Sequence, residues 1–443
     1  MTDISGHGSE ILSAGNYRLE RFIMHSLVSG VNVDLKNLFK RIEIYEDIYS
    51  SHITAKLYME DGLNFPERFP IVGQEKVEIA FKTDVTALPL VELVFRVYKL
   101  DGHAIAANGK SQEYVLHLIS EGGYFNFSQY CGYALSGTVS DMVGSVFKKH
   151  FPEMVWKDRL SIEPTKDNYV LVLPGSFTAF RSITWLANRA IPKIGLDYSP
   201  FMFYETLDGY NFKSLSSIIE AGSSDPMTYL FTAANIGIVE GAKQELGFKS
   251  ILPNRYHKIQ RFEELGRFDA AENIVNGRIV SRMRVHDLVR KEDRYSRFQE
   301  SDIFESMKKL GDVPRVRKGD SVLESLLQKG GAYFYLPSTP YTVWSQGNQI
   351  VDNSNVESLY LKRKYHMNAF LTQKMVIEVF GDSRRRVGDV VRIKIPKPQS
   401  DATSLQDRDD KNLSGEYLVT SIRHTLATSY SCKMELSRNG MGV

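Results

Sequence analysis

The chain is 443 residues long, long enough at roughly 100–200 residues per domain for two to four domains with a sizeable core. Hydrophobic residues make up 42% and charged residues 24%, and 55 Lys and Arg against 53 Asp and Glu leave a net charge of +2. That balance fits a globular protein and disfavours a nucleic-acid coat or a polybasic membrane binder.

Two cysteines, Cys131 and Cys432, lie too far apart for a disulfide framework or a CxxC site and read as ordinary buried thiols. No apolar run reaches the ~18 residues needed to cross a bilayer. Residues Met1–Gly15 lack the basic and apolar regions of a signal peptide and read as an arm, which places synthesis and first folding in a reducing cytoplasm.

In chain order, residues 28–119 read as five strands. LFKRIEIY (Leu38–Tyr45), HITAKLYM (His52–Met59), KVEIAFK (Lys76–Lys82), VELVFRVYKL (Val91–Leu100) and EYVLHL (Glu113–Leu118) alternate apolar and polar positions. Asp61-Gly62, Asp101-Gly102 and Asn108-Gly109 supply turn chemistry between them. An antiparallel sheet or small barrel follows. Gly109-Lys110-Ser111 lacks the upstream glycine of a phosphate loop, with Ala104 in its place, and is read as a hairpin turn.

After Glu121 the period changes. Val139, Met142, Val143, Val146 and Phe147 form one helical stripe, with Thr138 or Ser140 as its cap. A strand over Tyr169–Leu173 leads to a second helix from Ser176, with Phe177, Phe180, Thr184, Ala187 and Ile191 on one face and Pro192 as its stop. Phe201–Leu207 and Tyr210–Leu215 flank Asp208-Gly209 as a hairpin. Residues 229–300 read as strands with a short helix over Asp269–Val275. Residues 301–355 show only loop signals, at Gly330-Gly331 and Ser338–Pro340, and a helix follows over Val356–Thr372. Met375–Phe380, Val390–Ile395, Glu416–Arg423 and Ser431–Ser437 are the closing strands, with a polar loop over Lys397–Lys411.

No catalytic pattern emerges. There is no HxxxH or HExxH pair, His103, His117, His150 and His424 have no neighbouring ligands, and no GxSxG elbow occurs. Neither cofactor nor metal is implied. Basic residues concentrate in Lys249–Phe298, 12 against 7 acidic, and in Lys362–Lys397, 10 against 3, including Arg384-Arg385-Arg386. Arg282 and Arg284 share one polar face of a strand. Such stretches suit a solvated face, an acidic partner or nucleic acid.

Three stretches together resemble one family, the central baseplate hub proteins of contractile-tailed bacteriophages, akin to late-control proteins and the head of type VI secretion spikes. They are TVSDMVGSVFKKHF (Thr138–Phe151) with Ser176–Pro192 and FMFYETLDGYNFKSL (Phe201–Leu215); GRIVSRMRVHDLVRKEDRYSRFQE (Gly277–Glu300); and GDSRRRVGDVVRIKIP with LSGEYLVTSIRHTLATSYSCKMEL within Gly381–Arg438. The resemblance implies a β-rich α+β multidomain fold, with two tail-tube-like antiparallel β-barrel domains and an inserted α+β module. The implied division is 1–119 for the arm and first barrel, 120–215 for the insertion, 216–300 with 376–443 for the second barrel, and 301–375 for an outer segment with a helix.

It further implies a non-enzymatic homotrimer in the virion tail baseplate, assembled in the host cytoplasm. That trimer joins the tail tube protein or tube initiator to the central spike, beside baseplate wedge proteins, with DNA passing but not specifically bound. Phe147, Phe151, Phe201, Phe203, Tyr204, Arg384, Arg385 and Arg386 are the interface residues expected on this reading. The alternatives are a tail-associated peptidoglycan hydrolase with its carboxylates in 301–375, and a nucleic-acid-binding module.

Overall fold

Alternation of buried and exposed side chains builds the first sheet. Ala55, Leu57 and Met59 turn inward from one strand, Val77, Ile79 and Phe81 from a second, and Tyr114, Leu116 and Leu118 from a third. The structure, a computed structural model, describes residues 14–62, 64–83, 89–105, 109, 111–151, 159–166, 168–231, 257–267, 269–277, 279–287, 291–311, 332–338, 343–345, 348–350, 356–370, 372–397 and 409–440. Seven strands, β1 (Tyr17–His25), β2 (Asn32–Asp34), β3 (Phe39–Asp47), β4 (Thr54–Asp61), β5 (Lys76–Thr83), β6 (Val91–Ile105) and β7 (Gln112–Ser120), lie in the order β2-β1-β5-β6-β7-β4-β3.

Two turn expectations need correction. Asp61-Gly62 makes no hairpin: the Asp61 carboxylate accepts from Phe65 N at 2.5 Å and opens a one-turn helix, α1 (Phe65–Arg68). Asp101-Gly102 lies inside β6, where the pairing with β7 slips between Asp101 and Ala104. Gly102, at φ +64°, supplies the left-handed residue that this bulge requires.

The inserted module follows: α2 (Glu121–Asn126), β8 (Ala134–Thr138), α3 (Val139–His150), β9 (Leu160–Ile162), β10 (Asn168–Val172), α4 (Ala179–Ala187), β11 (Phe201–Thr206) and β12 (Gly209–Ser214). Thr138 Oγ1 accepts from Asp141 N at 3.2 Å and caps α3, whose stripe of Val139, Met142, Val143, Val146 and Phe147 is wholly buried. β8 pairs with β10, and β11, β12 and β9 make a second small sheet.

The chain continues through α5 (Leu215–Gly222), β13 (Met227–Phe231) and β14 (Lys258–Gly266). An excursion comes next: α6 (Ala270–Val275), β15 (Val280–Asp287), β16 (Glu292–Gln299), α7 (Ser301–Phe304), β17 (Ala332–Ser338), β18 (Val343–Ser345), β19 (Asn348–Ile350) and α8 (Val356–Ala369). Four strands end the chain: β20 (Gln373–Phe380), β21 (Val390–Lys394), β22 (Gly415–Leu426) and β23 (Tyr430–Arg438).

Six strands close on themselves in the ring β22-β21-β13-β14-β20-β23, so this barrel has no free edge. All its pairs are antiparallel except those of β13, which runs parallel to both neighbours. The expected β-rich class holds, with a barrel and an inserted α+β module; of the two antiparallel barrels expected, one closes, with β13 parallel in it, and the first seven strands close no ring of their own among the described residues. One extension of the second barrel does not hold. β15 and β16 leave it and pair with β17 in the order β16-β15-β17. The reason is packing, because Met283, Val285 and Phe298 bury against Leu361, Tyr365 and Ala369 of α8. Most of the polar loop (398–408), Gly330-Gly331 and residues 339–340 lie outside the described residues.

One strand joins the two sheets. β22 pairs with β21 as far as Leu418, then from Ser421 to Leu426 it pairs with β3, while β23 lies along its other side. The register shift between Val419 and Ser421 marks the change of neighbour. The result is one thirteen-stranded sheet and one apolar core running from Phe22 to Leu436.

Candidate functional site

The polar residues that matter most gather where β3, the β11–β12 hairpin and residues 381–389 meet. Thr206 pairs with Gly209, so Leu207-Asp208 is the two-residue tip of that hairpin. Gly209 sits at φ +131°, and a Cβ there would come within 2.1 Å of Arg159 O, so only glycine fits. The tip reaches Arg386. Arg386 Nε and Nη2 each donate to the Asp208 carboxylate at 2.6 Å, and Nη1 donates to Ser383 O at 2.6 Å and Arg385 O at 2.8 Å. A cavity of about 450 Å³ opens beside this clasp, lined in part by Tyr204, Asp208, Asn211, Ile218 and Asp389.

The other two arginines are also engaged. Buried Arg385 donates from Nε to Tyr229 OH at 2.5 Å and also reaches Phe380 O. Arg384 grips Asp382 twice, at 3.0 Å (Nε–Oδ1) and 2.7 Å (Nη2–Oδ2). Burial would raise the Asp382 carboxyl, but the hydrogen bond and charges of Arg384 and Arg385 outweigh it and hold that carboxyl below its usual range. Within the chain the triple-arginine run acts as an internal latch. Its charges meet partners brought from Asp208, Tyr229 and Asp382. Only Arg384 keeps appreciable exposure.

Deeper in the joint, Glu46 on β3 accepts from the β22 imidazole, His424 Nε2 to Glu46 Oε1 being 2.9 Å. The other ring nitrogen, Nδ1, lies 2.8 Å from Tyr430 OH and 3.3 Å from Cys432 Sγ. Burial opposes charging of His424, yet Cys432 and Glu46 outweigh it and raise the imidazole to about 9. Burial raises the Cys432 thiol, and His424 and Arg385 reverse that to about 7. A carboxylate, imidazole and thiol in sequence are the parts of a nucleophilic triad. Here His424 and Cys432 are fully buried and Glu46 very nearly so, with the sulfur enclosed by β22, β23 and Tyr430, which leaves a substrate no approach in this conformation. Chemically the trio braces strands. Glu46 Oε2 also accepts from Leu207 N at 3.3 Å, tying the hairpin tip to the same brace.

Glu205 on β11, two residues before Leu207, accepts from Ile53 N at 2.8 Å and Ser120 Oγ at 2.5 Å, and its burial pushes the carboxyl up to about 7. Burial likewise pushes Asp389, beside the cavity, up to about 6.

The aromatic residues expected at an interface are core. Phe147, Phe151 and Phe203 surround Phe180, with ring centroids 5.2–6.0 Å away, and Phe201 packs on Phe212 at 4.9 Å. Tyr204 is buried where the hairpin meets the barrel. None offers a partner more than a sliver of surface: their size and apolarity serve the module's own packing.

Both cysteines are buried and unpaired. His150 lies 2.9 Å from Tyr133 OH and His103 lies 2.6 Å from Gln112 Oε1. No cluster of three or more metal-ligating side chains occurs among the described residues. Of the seven carboxylates in 301–375, Glu305 pairs with Lys309 at the surface, Asp312, Asp320, Glu324 and Asp352 lie outside the described residues, and so do the side chains of Asp302 and Glu357. Sequence reasoning missed Glu46, Asp208 and Cys432. The register pairing His424 with Cys432 across a short hairpin is the one signal that was available.

No protein-family model and no curated protein matches the sequence. Solved structures do. A tail protein from Neisseria meningitidis MC58 superposes with a TM-score of 0.52 at 11% identity, covering 95% of this chain and 96% of that one. The 43 kDa tail protein of prophage MuSo2 from Shewanella oneidensis gives 0.51 at 9% identity, covering 95% and 98%. This chain has the fold of those two tail proteins, over nearly the full length of each.

Proposed function

We propose that the chain is a structural component of a phage tail, the hub at the centre of a baseplate. The observation that carries this reading is the pairing of β3 with β22, which sets a seven-strand sheet beside a closed six-strand barrel in one polypeptide. Two sheet-built halves per chain let three chains present six units around an axis, matching a sixfold tube on one face and a threefold spike on the other. The fold shared with the two bacterial tail proteins supports the same assignment.

In this reading the chain works without chemistry of its own. Its partners are the tail tube protein or its initiator, the central spike and the surrounding wedge proteins, and its place is the virion tail. The buried polar brace of Glu46 and His424 and the clasp of Asp208 and Arg386 hold the two halves and the inserted module in one orientation, which a load-bearing ring requires.

Sedimentation of the purified chain tests the proposal. A particle of about 151 kDa, three times the 50.4 kDa chain, is expected. A particle of one chain's mass at every concentration overturns the trimer.

A further inference from the structure

Three side-chain contacts seat the β11–β12 hairpin on the rest of the chain. Asp208 grips Arg386, and Glu46, which accepts from Leu207 N, is matched by the imidazole of His424. Each of those acids faces a cation. The third contact differs. Glu205 Oε2 takes Ile53 N at 2.8 Å and Ser120 Oγ at 2.5 Å, two neutral donors standing just before β4 and at the end of β7. No cation pairs with Glu205 among the described residues. Across on β3 lies Glu46, a like charge. Glu121 opens α2 and is held by Arg96 of β6 at 2.6 Å, and burial keeps the His52 imidazole below its usual range. Tyr210 of β12 is a further neighbour. Its buried hydroxyl stands beside Glu205 and Ser120 with no hydrogen bond of ordinary geometry among the described residues. A protonated carboxyl gives that oxygen the donor it lacks, whereas an ionised one can only accept.

Ser120 gives the contact a second state. It is the N-cap residue of α2, where a serine ordinarily accepts from the amide of the second or third helical residue, Gly122 or Gly123. Here its side chain makes no capping bond, because the hydroxyl is turned onto Glu205. The helix itself is fixed. A Cβ at Gly123 would come within 2.8 Å of His52 Cβ and 2.9 Å of Ile119 Cγ1, so α2 lies hard against both residues. We propose that Glu205 and Ser120 form a proton-operated catch between the inserted module and the first sheet. Protonated Glu205 seats the hairpin. On ionisation the proton passes to water, the hairpin lifts, and Ser120 turns back to cap α2. Ionisation strengthens a carboxylate as acceptor for Ile53 N and Ser120 Oγ, but desolvation, with the like charge of Glu46 added to it, outweighs that gain. The sign follows: the catch is shut in acid and opens as pH rises through the titration of this carboxyl near 7. The inference stands apart from the hub assignment, since it uses only contacts within one chain.

Hydrogen–deuterium exchange of the full chain, read residue by residue after fragmentation and corrected for the intrinsic effect of pH, tests this at pH 5.5 and pH 8. Ile53 N loses protection by on the order of tenfold between the two, as Glu205 lets go. Gly122 N or Gly123 N gains protection over the same interval, as Ser120 caps the helix. A general loosening cannot produce opposite signs on adjoining elements. Glu205→Gln, which accepts from both donors but carries no charge, leaves these amides unchanged with pH. Ser120→Ala abolishes the gain at α2 and keeps the loss at Ile53. Should Glu205→Gln melt early by circular dichroism, the two wild-type changes decide alone. Ile53 N holding its protection at pH 8 overturns the proposal. So does loss at both places together, and so does a Glu205→Gln chain that follows the wild type. A loss at Ile53 without the gain at α2 overturns the part given to Ser120.

Discussion

Glu46 and His424, 378 positions apart, share a 2.9 Å hydrogen bond with essentially no solvent on either side chain. The bond spans the line on which β3 lies against β22, and through Leu207 N the same carboxylate holds the hairpin tip. Replacing Glu46 with Leu leaves a buried imidazole short of its partner and is expected to cost about 3–5 kcal/mol. Glu46→Leu combined with His424→Phe removes both polar groups and costs less than the two changes summed. Denaturant titration of the four proteins in a double-mutant cycle measures the difference.

Glu205 imposes a pH dependence. Its folded carboxyl titrates near 7 against an ordinary 4.5, so the folded chain keeps a proton that the unfolded chain releases across that interval. Stability from this group is therefore full below 4.5 and falls as pH rises to 7. Gln at 205 still accepts from Ile53 N and Ser120 Oγ but has no charge to bury. Glu205→Gln should gain on the parent as pH rises from 5 to 7, on the order of 3 kcal/mol, and hold that gain above 7. Melting curves of both proteins at each pH measure it.

His366 works in the opposite sense. Burial holds its imidazole down to about 3, so the folded chain refuses a proton that the unfolded chain accepts below 6.5. Its stability contribution is full above 6.5 and drains away as pH falls toward 3. Nδ1 has no hydrogen-bond partner among the described residues, and the ring sits against Tyr198 and Phe370. His366→Phe is expected to melt higher than the parent at pH 5 and near it at pH 8, a comparison that calorimetry makes directly.

Val146 is fully buried on α3, facing the core of the inserted module. An aspartate there buries a charge with no counter-ion, and more than 4 kcal/mol of destabilisation is expected. Limited proteolysis should then cut first within 134–214. An intact module in Val146→Asp would mean that the stripe faces solvent.

The strands with clean alternation were legible from sequence, β3 to β7 and the final four among them. β1 was not. Its pairing with β5 slips between Leu19 and Arg21, so Tyr17, Leu19, Phe22 and Met24 do not keep a period of two. The barrel's closure followed only from the family resemblance and not from the residues, because β13 and β14 meet strands more than a hundred residues later, and nothing local announces such pairing. Arg384–Arg386 was illegible as a latch for a related reason: a cationic run in one dimension becomes a set of paired groups once Asp208 and Tyr229 arrive from elsewhere. The helical stripe was read correctly, but its edge was not, since Phe151 turns back onto Phe180.

The seam between β3 and β22 also sets a timetable. As the ribosome extends the nascent chain, β3 emerges early and β22 almost last, so its outer backbone amides wait unpaired through most of synthesis. Such an interval invites a neighbouring polypeptide to zip onto the waiting edge, and contacts this distant along the chain are slow to form. Aggregation during expression should therefore respond to anything that slows delivery of residues 415–426, more than to changes within the early strands themselves.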